Sequence, residues 1–351
     1  MPVTSLNERD RIMTTMRKLL ASAAMSCVFA LPAMAQQITG AGATFPAPVY
    51  TKWGEAAKAA VGVELNYQAI GSGGGQNQII NRTVDFGASD APVDTAKLEQ
   101  NKLVQFPMVM GAVVPIVNLP GIEADQVKLT GEILAEIFAG KITKWDDPKL
   151  VEMNHGVKLP SMAIAPVHRA DASGTSYVFT SYLSAVSPDW KSSVGANTSV
   201  NWPAGTGAKG NDGVAATVKN VRGGIGYVEN AYATQNKLTT TQLRNKAGQY
   251  VKPTIASFQA AAASADWAGA KDYAVSIIDQ QGATTWPIVS ATFLLLPTDA
   301  KDPAREQLVL KWVNWDYEHG DAIAQQLEYV PLPKSVKDMV RATWKQKLNY
   351  K

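Results

Sequence analysis

The chain has 351 residues, 33 basic against 30 acidic, a formal net charge of +3 and a single cysteine. So even a balance excludes the concentrated basic face of a nucleic-acid binder, and one thiol excludes a disulfide framework and a thiolate metal cluster. The length exceeds what one hydrophobic core usually serves and predicts two domains.

Residues 1–35 read as a secretory signal peptide. Arg9, Arg11, Arg17 and Lys18 form a basic region, Leu19 to Pro32 is largely apolar, and Ala33-Met34-Ala35 fits the small-x-small rule for cleavage after Ala35. Met13 and Met16 are alternative starts inside the long basic region. The apolar run of about 14 residues is short of the ~20 that a bilayer crossing needs, and no later stretch is long enough, which predicts a soluble mature chain. Cys27 lies inside this segment, and Ala24-Met25-Ser26 before it departs from the pattern that precedes a lipidated cysteine. Cleavage leaves 316 residues, 29 basic and 28 acidic, net charge +1 and no thiol. Any anion selectivity must then be local.

Ile38 to Phe45 (ITGAGATF) reads as a short strand and a glycine loop, and Pro46 and Pro48 introduce a helix with Tyr50, Trp53, Ala57 and Ala60 at helical spacing. Val63, Leu65 and Tyr67 alternate as in a half-buried strand, followed by the loop Ile70 to Gly75 (IGSGGG) and a helix from Gln76. Val84 to Asp90 (VDFGASD) places Asp90 at the carboxyl end of a strand, and Asp94 to Gln100 is a candidate helix. Phe106 to Leu119 is nearly all apolar despite Pro107 and Pro115, as expected of a buried extended segment that crosses between domains. Thr130 caps a helix through Ala139 that Gly140 stops, and Ile164 to Val167 is a strand leading into Arg169 to Ser176 (RADASGTS).

Gly205 to Gly210 (GTGAKG) matches a dinucleotide-loop spacing, but Trp202-Pro203-Ala204 is no strand and the motif does not itself open the helix, so it reads as an interdomain or ligand-edge loop with Asn211-Asp212 as the cap of Gly213 to Asn220. Gly224 to Glu229 is the next strand. Helices are expected over Ser257 to Ala265, Ala268 to Gln280, Pro303 to His319, Asp321 to Leu327 and Ser335 to Leu348, with Trp286 to Leu296 as the second apolar crossing segment. Strands alternating with helices imply an α/β architecture with parallel sheets, two domains (36–115 with 290–351, and 116–289), and a ligand in the cleft between them.

Four loops compete for that cleft. Ala43 to Phe45, Gly71 to Gly75 and Arg169 to Thr175 each offer free N–H groups and a hydroxyl (Thr44, Ser72, Ser173, Thr175), while Asp90 offers a carboxylate. Singly, each also reads as a turn or a cap, and Arg169 as one half of a surface ion pair. Together they suit a tetrahedral oxyanion, and Asp90, an acceptor only, favours an anion that still carries a proton. His155, His168 and His319 lie in no metal or nucleophile motif, and Asp146-Asp147 reads as a helix cap.

The motifs TGAGATFPAPVY, IGSGGG, TVDFGASDAP, GKITKWDD, RADASGTS, WPAGTGAKGNDG and IGYVE, in that order, make the chain resemble the periplasmic phosphate-binding proteins of bacterial phosphate ABC importers. The resemblance implies a two-domain type II periplasmic-binding-protein fold closing on inorganic phosphate, with Thr44, Phe45, Ser72, Asp90, Arg169, Ser173, Gly174 and Thr175 as ligands and Asp171 tethering Arg169. It further implies no cofactor, no metal and no enzymatic activity, a monomer in the periplasm, and the membrane permease subunits of the importer as partners. His168 and Gly73 depart from the family's usual residues without removing a ligand-contacting position. A phosphoester hydrolase and a receptor for another oxyanion are the rival readings.

Overall fold

The computed structural model describes residues 36–348 and 350, so the signal peptide expected over 1–35 lies outside the described residues. The strands are β1 (Gln36–Gly42), β2 (Val63–Ala69), β3 (Phe86–Ser89), β4 (Leu103–Val117), β5 (Lys128–Leu129), β6 (Ala165–Arg169), β7 (Thr206–Ala208), β8 (Gly224–Glu229), β9 (Thr239–Thr240), β10 (Gln242–Arg244), β11 (Tyr250–Val251) and β12 (Val289–Pro297). Nine of them share one sheet in the order β2-β1-β3-β12-β4-β8-β6-β7 with β9 also on β4, and β11-β10-β5 form a small second sheet.

The expected parallel arrangement holds at the two ends of the large sheet and fails in its middle. β2, β1 and β3 run parallel, as do β8, β6 and β7, but β12 is antiparallel to both β3 and β4, and β4 is antiparallel to β8. The exceptions are the two long apolar segments. β12 returns from the end of the chain and inserts between β3 and β4, so no crossover helix sets its direction.

β4 is buried along all of its 15 residues. From Leu103 to Ala112 it pairs with Pro297 to Val289, and from Val113 to Val117 with Glu229 to Ile225. One strand thus serves two neighbourhoods, changing partner between Ala112 and Val113. Pro107, which cannot donate to the ladder, sits where the register with β12 shifts between Thr292 and Phe293, and its carbonyl instead accepts from the Tyr317 hydroxyl.

Around β1 and β3 the helices Ala47–Val61 and Pro303–His319 close an aromatic core, with the Trp312 ring 5.5 Å from Tyr50 and 5.3 Å from Phe86. Thr130 and Asp147 cap their helices as expected, accepting from Ile133 N and Lys149 N, and Asp94 caps the helix Thr95–Gln100 by accepting from Lys97 N. The helix expected over Ala268 to Gln280 is absent, and the stretch holds only a 3-10 turn at Lys271–Tyr273. Asp272 and Tyr273 have positive φ there, and Asp272 is held from outside, its carboxylate accepting from Thr95 Oγ1 at 2.5 Å and its carbonyl from Gln105 Nε2 at 3.0 Å. Tertiary hydrogen bonds override the alanine-rich helical spacing.

Asp316, in the helix Pro303–His319, is 1% exposed, and neither of its carboxylate oxygens has a hydrogen-bond partner among the described residues. Burial pushes its carboxyl well above the ordinary carboxylate range. A raised folded pKa means that the native chain holds this proton more tightly than the unfolded chain, so stability is lost as pH rises above the unfolded value. Asp316→Asn should therefore gain on the wild type by ~1–3 kcal/mol as pH is raised from about 4 to about 9. Urea unfolding at both ends of that range checks it, and a pH-independent difference would refute the assignment.

Candidate functional site

The three strand–loop–helix units deliver their loops to one place. β1 leads through Thr44 and Phe45 into the helix Ala47–Val61, β2 through Gly71 into Ser72–Ile80, and β6 through Arg169 to Ser173 into Gly174–Val186. Asp90 follows β3. At the start of each helix the N–H groups lack intrahelical partners and the helix dipole is positive. Among the described residues, the backbone N–H groups of Phe45, Ser72, Gly174 and Thr175 have no intramolecular partner.

The sequence-predicted residues are brought together, all of them buried except the partly exposed Asp171. Arg169 is gripped by Asp171, with Nε 2.8 Å from Oδ1 and Nη2 2.5 Å from Oδ2, and its Nη1 donates to Thr175 Oγ1 at 3.2 Å. Burial alone would raise the Asp171 carboxyl, but the hydrogen bonds and charge of Arg169 and the amide of Gly210 outweigh it and hold the group below its ordinary value. The tether is therefore ionised and its guanidinium fixed in one plane.

The loops also interlock across the cleft. Gly73 N donates to Ala172 O at 2.9 Å, and a Cβ on Gly71, whose φ is 89°, would lie 2.5 Å from Asp171 Oδ2. A Cβ on Gly174 would lie 2.3 Å from Ser72 Oγ and 2.5 Å from Asp90 Oδ2, so only glycine lets the third helix start approach the other two elements.

The four hydroxyls are all used as acceptors by the protein. Thr44 Oγ1 accepts from Asn211 Nδ2 at 2.7 Å, Thr175 Oγ1 from Arg169 and from Asn211 Nδ2 at 3.2 Å, Ser173 Oγ from Ser176 N at 3.0 Å, and Ser72 Oγ from Asp90 N at 3.1 Å. Thr44, Ser173 and Thr175 each keep one proton to give, whereas the Ser72 hydroxyl proton is directed to Asp90 Oδ2 at 3.5 Å. Ser173 contributes through its hydroxyl alone, because its N–H is taken by Thr198 O at 2.8 Å.

Against these donors stands one acceptor. Asp90 is 1% exposed, its Oδ1 accepts from Thr292 Oγ1 at 2.9 Å, and its Oδ2 lies 3.5 Å from Ser72 Oγ. Burial pushes its carboxyl up to about 7, against the opposing pull of Thr292, Arg169 and Ser72. Its alternative reading as a turn cap before Pro92 has no support in these contacts.

Sequence reasoning missed Asn211 as a site residue and misplaced it as a cap. The helix starts at Gly210, not Gly213, with no side-chain cap. Thr206–Ala208 pairs with β6, and Gly210, at φ 71°, donates its N–H to Asp171 Oδ1 at 3.0 Å, so the last glycine of GTGAKG does open the helix. Asn211 then points inward and bridges Thr44 and Thr175, a role for which local spacing carries no signal. Thr292 and Tyr329 were likewise missed, because each reaches the site from distant sequence. His168 stacks on Trp202 at 4.8 Å with Nδ1 3.1 Å from Arg169 O, a strand-end packing role. An open cavity of about 350 Å³ lined by Glu132, Tyr182, Arg244, Lys246 and Asp279 contains none of these residues.

Residues 30–317 match the family described as PBP superfamily domain. The chain is 50% identical over 317 residues to the phosphate-binding protein PstS of Pasteurella multocida, covering 90% of this chain and 92% of that one. The fold is similar to that of a phosphate-binding protein from Stenotrophomonas maltophilia, with a TM-score of 0.67 at 20% identity over 88% of this chain and 93% of that one. It is also similar to an ABC-type phosphate transport receptor from Vibrio cholerae, with a TM-score of 0.54 at 18% identity over 84% and 100%. With half its residues shared across nearly the whole length of such a relative, and the two-domain α/β fold of these proteins, the chain belongs to the PstS family of phosphate-binding proteins within the PBP superfamily.

Proposed function

We propose that this chain captures inorganic phosphate in the cleft formed by Thr44, Phe45, Ser72, Asp90, Arg169, Ser173, Gly174 and Thr175, and delivers it to the membrane permease subunits of an ABC importer. It acts as a monomeric binding protein in the periplasm, after cleavage following Ala35, and catalyses nothing. Names borne by its relatives, phosphate-binding protein and ABC-type phosphate transport receptor, support this reading. The change of β4 partner between Ala112 and Val113 supports domains at 36–115 with 290–351, and at 116–289. Closure of the two about these crossing strands would bury the ligand.

The observation that carries the phosphate assignment is the single buried acceptor among donors. Arginine, helix N-termini and hydroxyl protons attract any oxyanion, whereas Asp90 accepts one proton and finds it only on hydrogen phosphate. Sulfate would face the carboxylate with lone pairs on both sides. Binding of this kind is complementarity to a stable anion and supplies no interaction that strengthens in a transition state.

Calorimetry on the mature protein should show phosphate bound far more tightly than sulfate. An unpaired charged acceptor penalises sulfate by ~3 kcal/mol, so Asp90→Asn should narrow the phosphate-to-sulfate ratio by about 100-fold. Because Asp90 titrates at about 7 in the free protein, it gains a proton to donate as pH falls. Discrimination should accordingly be greatest in alkaline solution and shrink as the pH is lowered through that value. Sulfate binding as tightly as phosphate at alkaline pH would overturn the assignment.

Gly174→Ala tests the geometry independently. A methyl at that position must displace Ser72 and Asp90, and overpacking of ~1–3 kcal/mol should weaken phosphate binding about 10- to 100-fold. Unchanged affinity in that variant would show that Gly174 does not pack against the ligand loops in the bound state.

A further inference from the structure

Glu229, the last residue of β8, is fully buried and lies beside the anion loops without being one of their ligands. Its backbone N–H donates to Asn211 Oδ1 at 2.9 Å, which turns the Asn211 amide nitrogen toward Thr44 and Thr175. Its side chain reaches the same loops by a second route. Glu229 Oε2 lies 2.8 Å from Tyr329 Oη, and Tyr329 Oη lies 2.7 Å from the carbonyl oxygen of Phe45.

Those two contacts need two protons. A carbonyl oxygen has none and a phenol has one, so Tyr329 can donate to Phe45 or to Glu229 but not to both. If Glu229 were ionised and took the phenol proton, the Phe45 carbonyl and the Tyr329 oxygen would meet at hydrogen-bond distance with only lone pairs between them. The contacts are both satisfied if Glu229 is a neutral acid that donates to Tyr329, which then donates to Phe45. Oε2 can still accept the Ala231 N–H at 2.9 Å, while Oε1 has no partner among the described residues.

The surroundings favour the neutral form. Glu229 faces Tyr329 from the carboxy-terminal segment, Tyr232 from the helix Asn230–Gln235 and, at longer range, Asp90 from the end of β3. Nearby Glu328 holds Asn230 and Thr234. None of these is a cation, and Glu229 forms no ion pair among the described residues. Burial first, and then the negative charge of Asp90, push its carboxyl well up, against the hydrogen bonds of Tyr329 and the Ala231 and Asn230 amides.

We infer that Glu229 is a positioning residue held as a neutral acid, whose proton, relayed through Tyr329, locks the Phe45 carbonyl and so orients the Thr44–Phe45 loop toward the anion. The neutral state also spares the site a second buried negative charge behind Asp90. Ionisation of Glu229 removes the lock and adds that charge together. This assignment rests on the proposed phosphate site for its effect on affinity, but not for the proton itself.

Two measurements test it on the mature protein. Infrared difference spectra between wild type and Glu229→Gln, without phosphate at neutral pH, should show a deuterium-sensitive protonated-carboxyl C=O band that the variant lacks. Tyr329→Phe, which removes the partner of the proton, should shift that band in frequency. Glu229→Gln, whose neutral amide can still donate to Tyr329, should hold phosphate about as tightly as wild type, whereas Tyr329→Phe, which leaves the Phe45 carbonyl without its donor, should weaken binding by ~10-fold. A wild type without the Glu229 band, or a Glu229→Gln variant that loses phosphate as far as Tyr329→Phe does, overturns the assignment. A clear band in a protein with no phosphate affinity would uphold the proton and instead sink the phosphate reading.

Discussion

The structure depends on one strand being buried along its whole length. β4 satisfies its backbone groups with β12 over one part and with β8 over the other, so neither half of the large sheet is complete without it. Because β3 and β12 hang on one part, and β8, β6 and β7 on the other, the same ladder sets where Asp90 lies relative to Arg169. The apolar run that makes β4 possible thus also places the two charges of the site, although it contributes no side chain to it.

The charges are arranged by different means. Arg169 is neutralised locally by Asp171, two residues on, and this pair would form in many contexts. Asp90 has no such partner. Its carboxylate is held by Thr292 from β12 and by Ser72 from a separate loop, with Arg169 contributing only at longer range. A buried acceptor without a permanent counter-ion is costly unless something brings it a proton, which is the physical basis of the proposed selectivity for a protonated oxyanion.

The loops of the site were legible because their chemistry is local. A strand ending in glycine and hydroxyl residues before a helix advertises free N–H groups whatever it packs against, and RADASGTS, IGSGGG and ATFPAP each carry that signature. Asn211 carried no such signature. A carboxamide near a helix start reads as a cap, and only the pairing of Thr206–Ala208 with β6, which moves the helix start to Gly210, turns it inward. The failed helix over Ala268 to Gln280 has the same origin, since its alanine spacing was overruled by hydrogen bonds to Thr95 and Gln105 from far along the chain.

From its residues alone, then, this protein's α/β character, its glycine- and hydroxyl-rich loops before helices, the carboxylate at the end of β3 and its family resemblance were already determined, because period, loop composition and charge are properties of short segments. Tertiary structure alone decided the antiparallel centre of the sheet, the inward turn of Asn211, and the convergence of Thr292, Glu229 and Tyr329 behind the anion loops. These features join residues 100 or more positions apart or depend on which strand inserts beside which. A hydrogen bond across such a distance leaves no trace in local spacing, and the number of protons in the Glu229–Tyr329–Phe45 chain can be counted only once its oxygens are in contact.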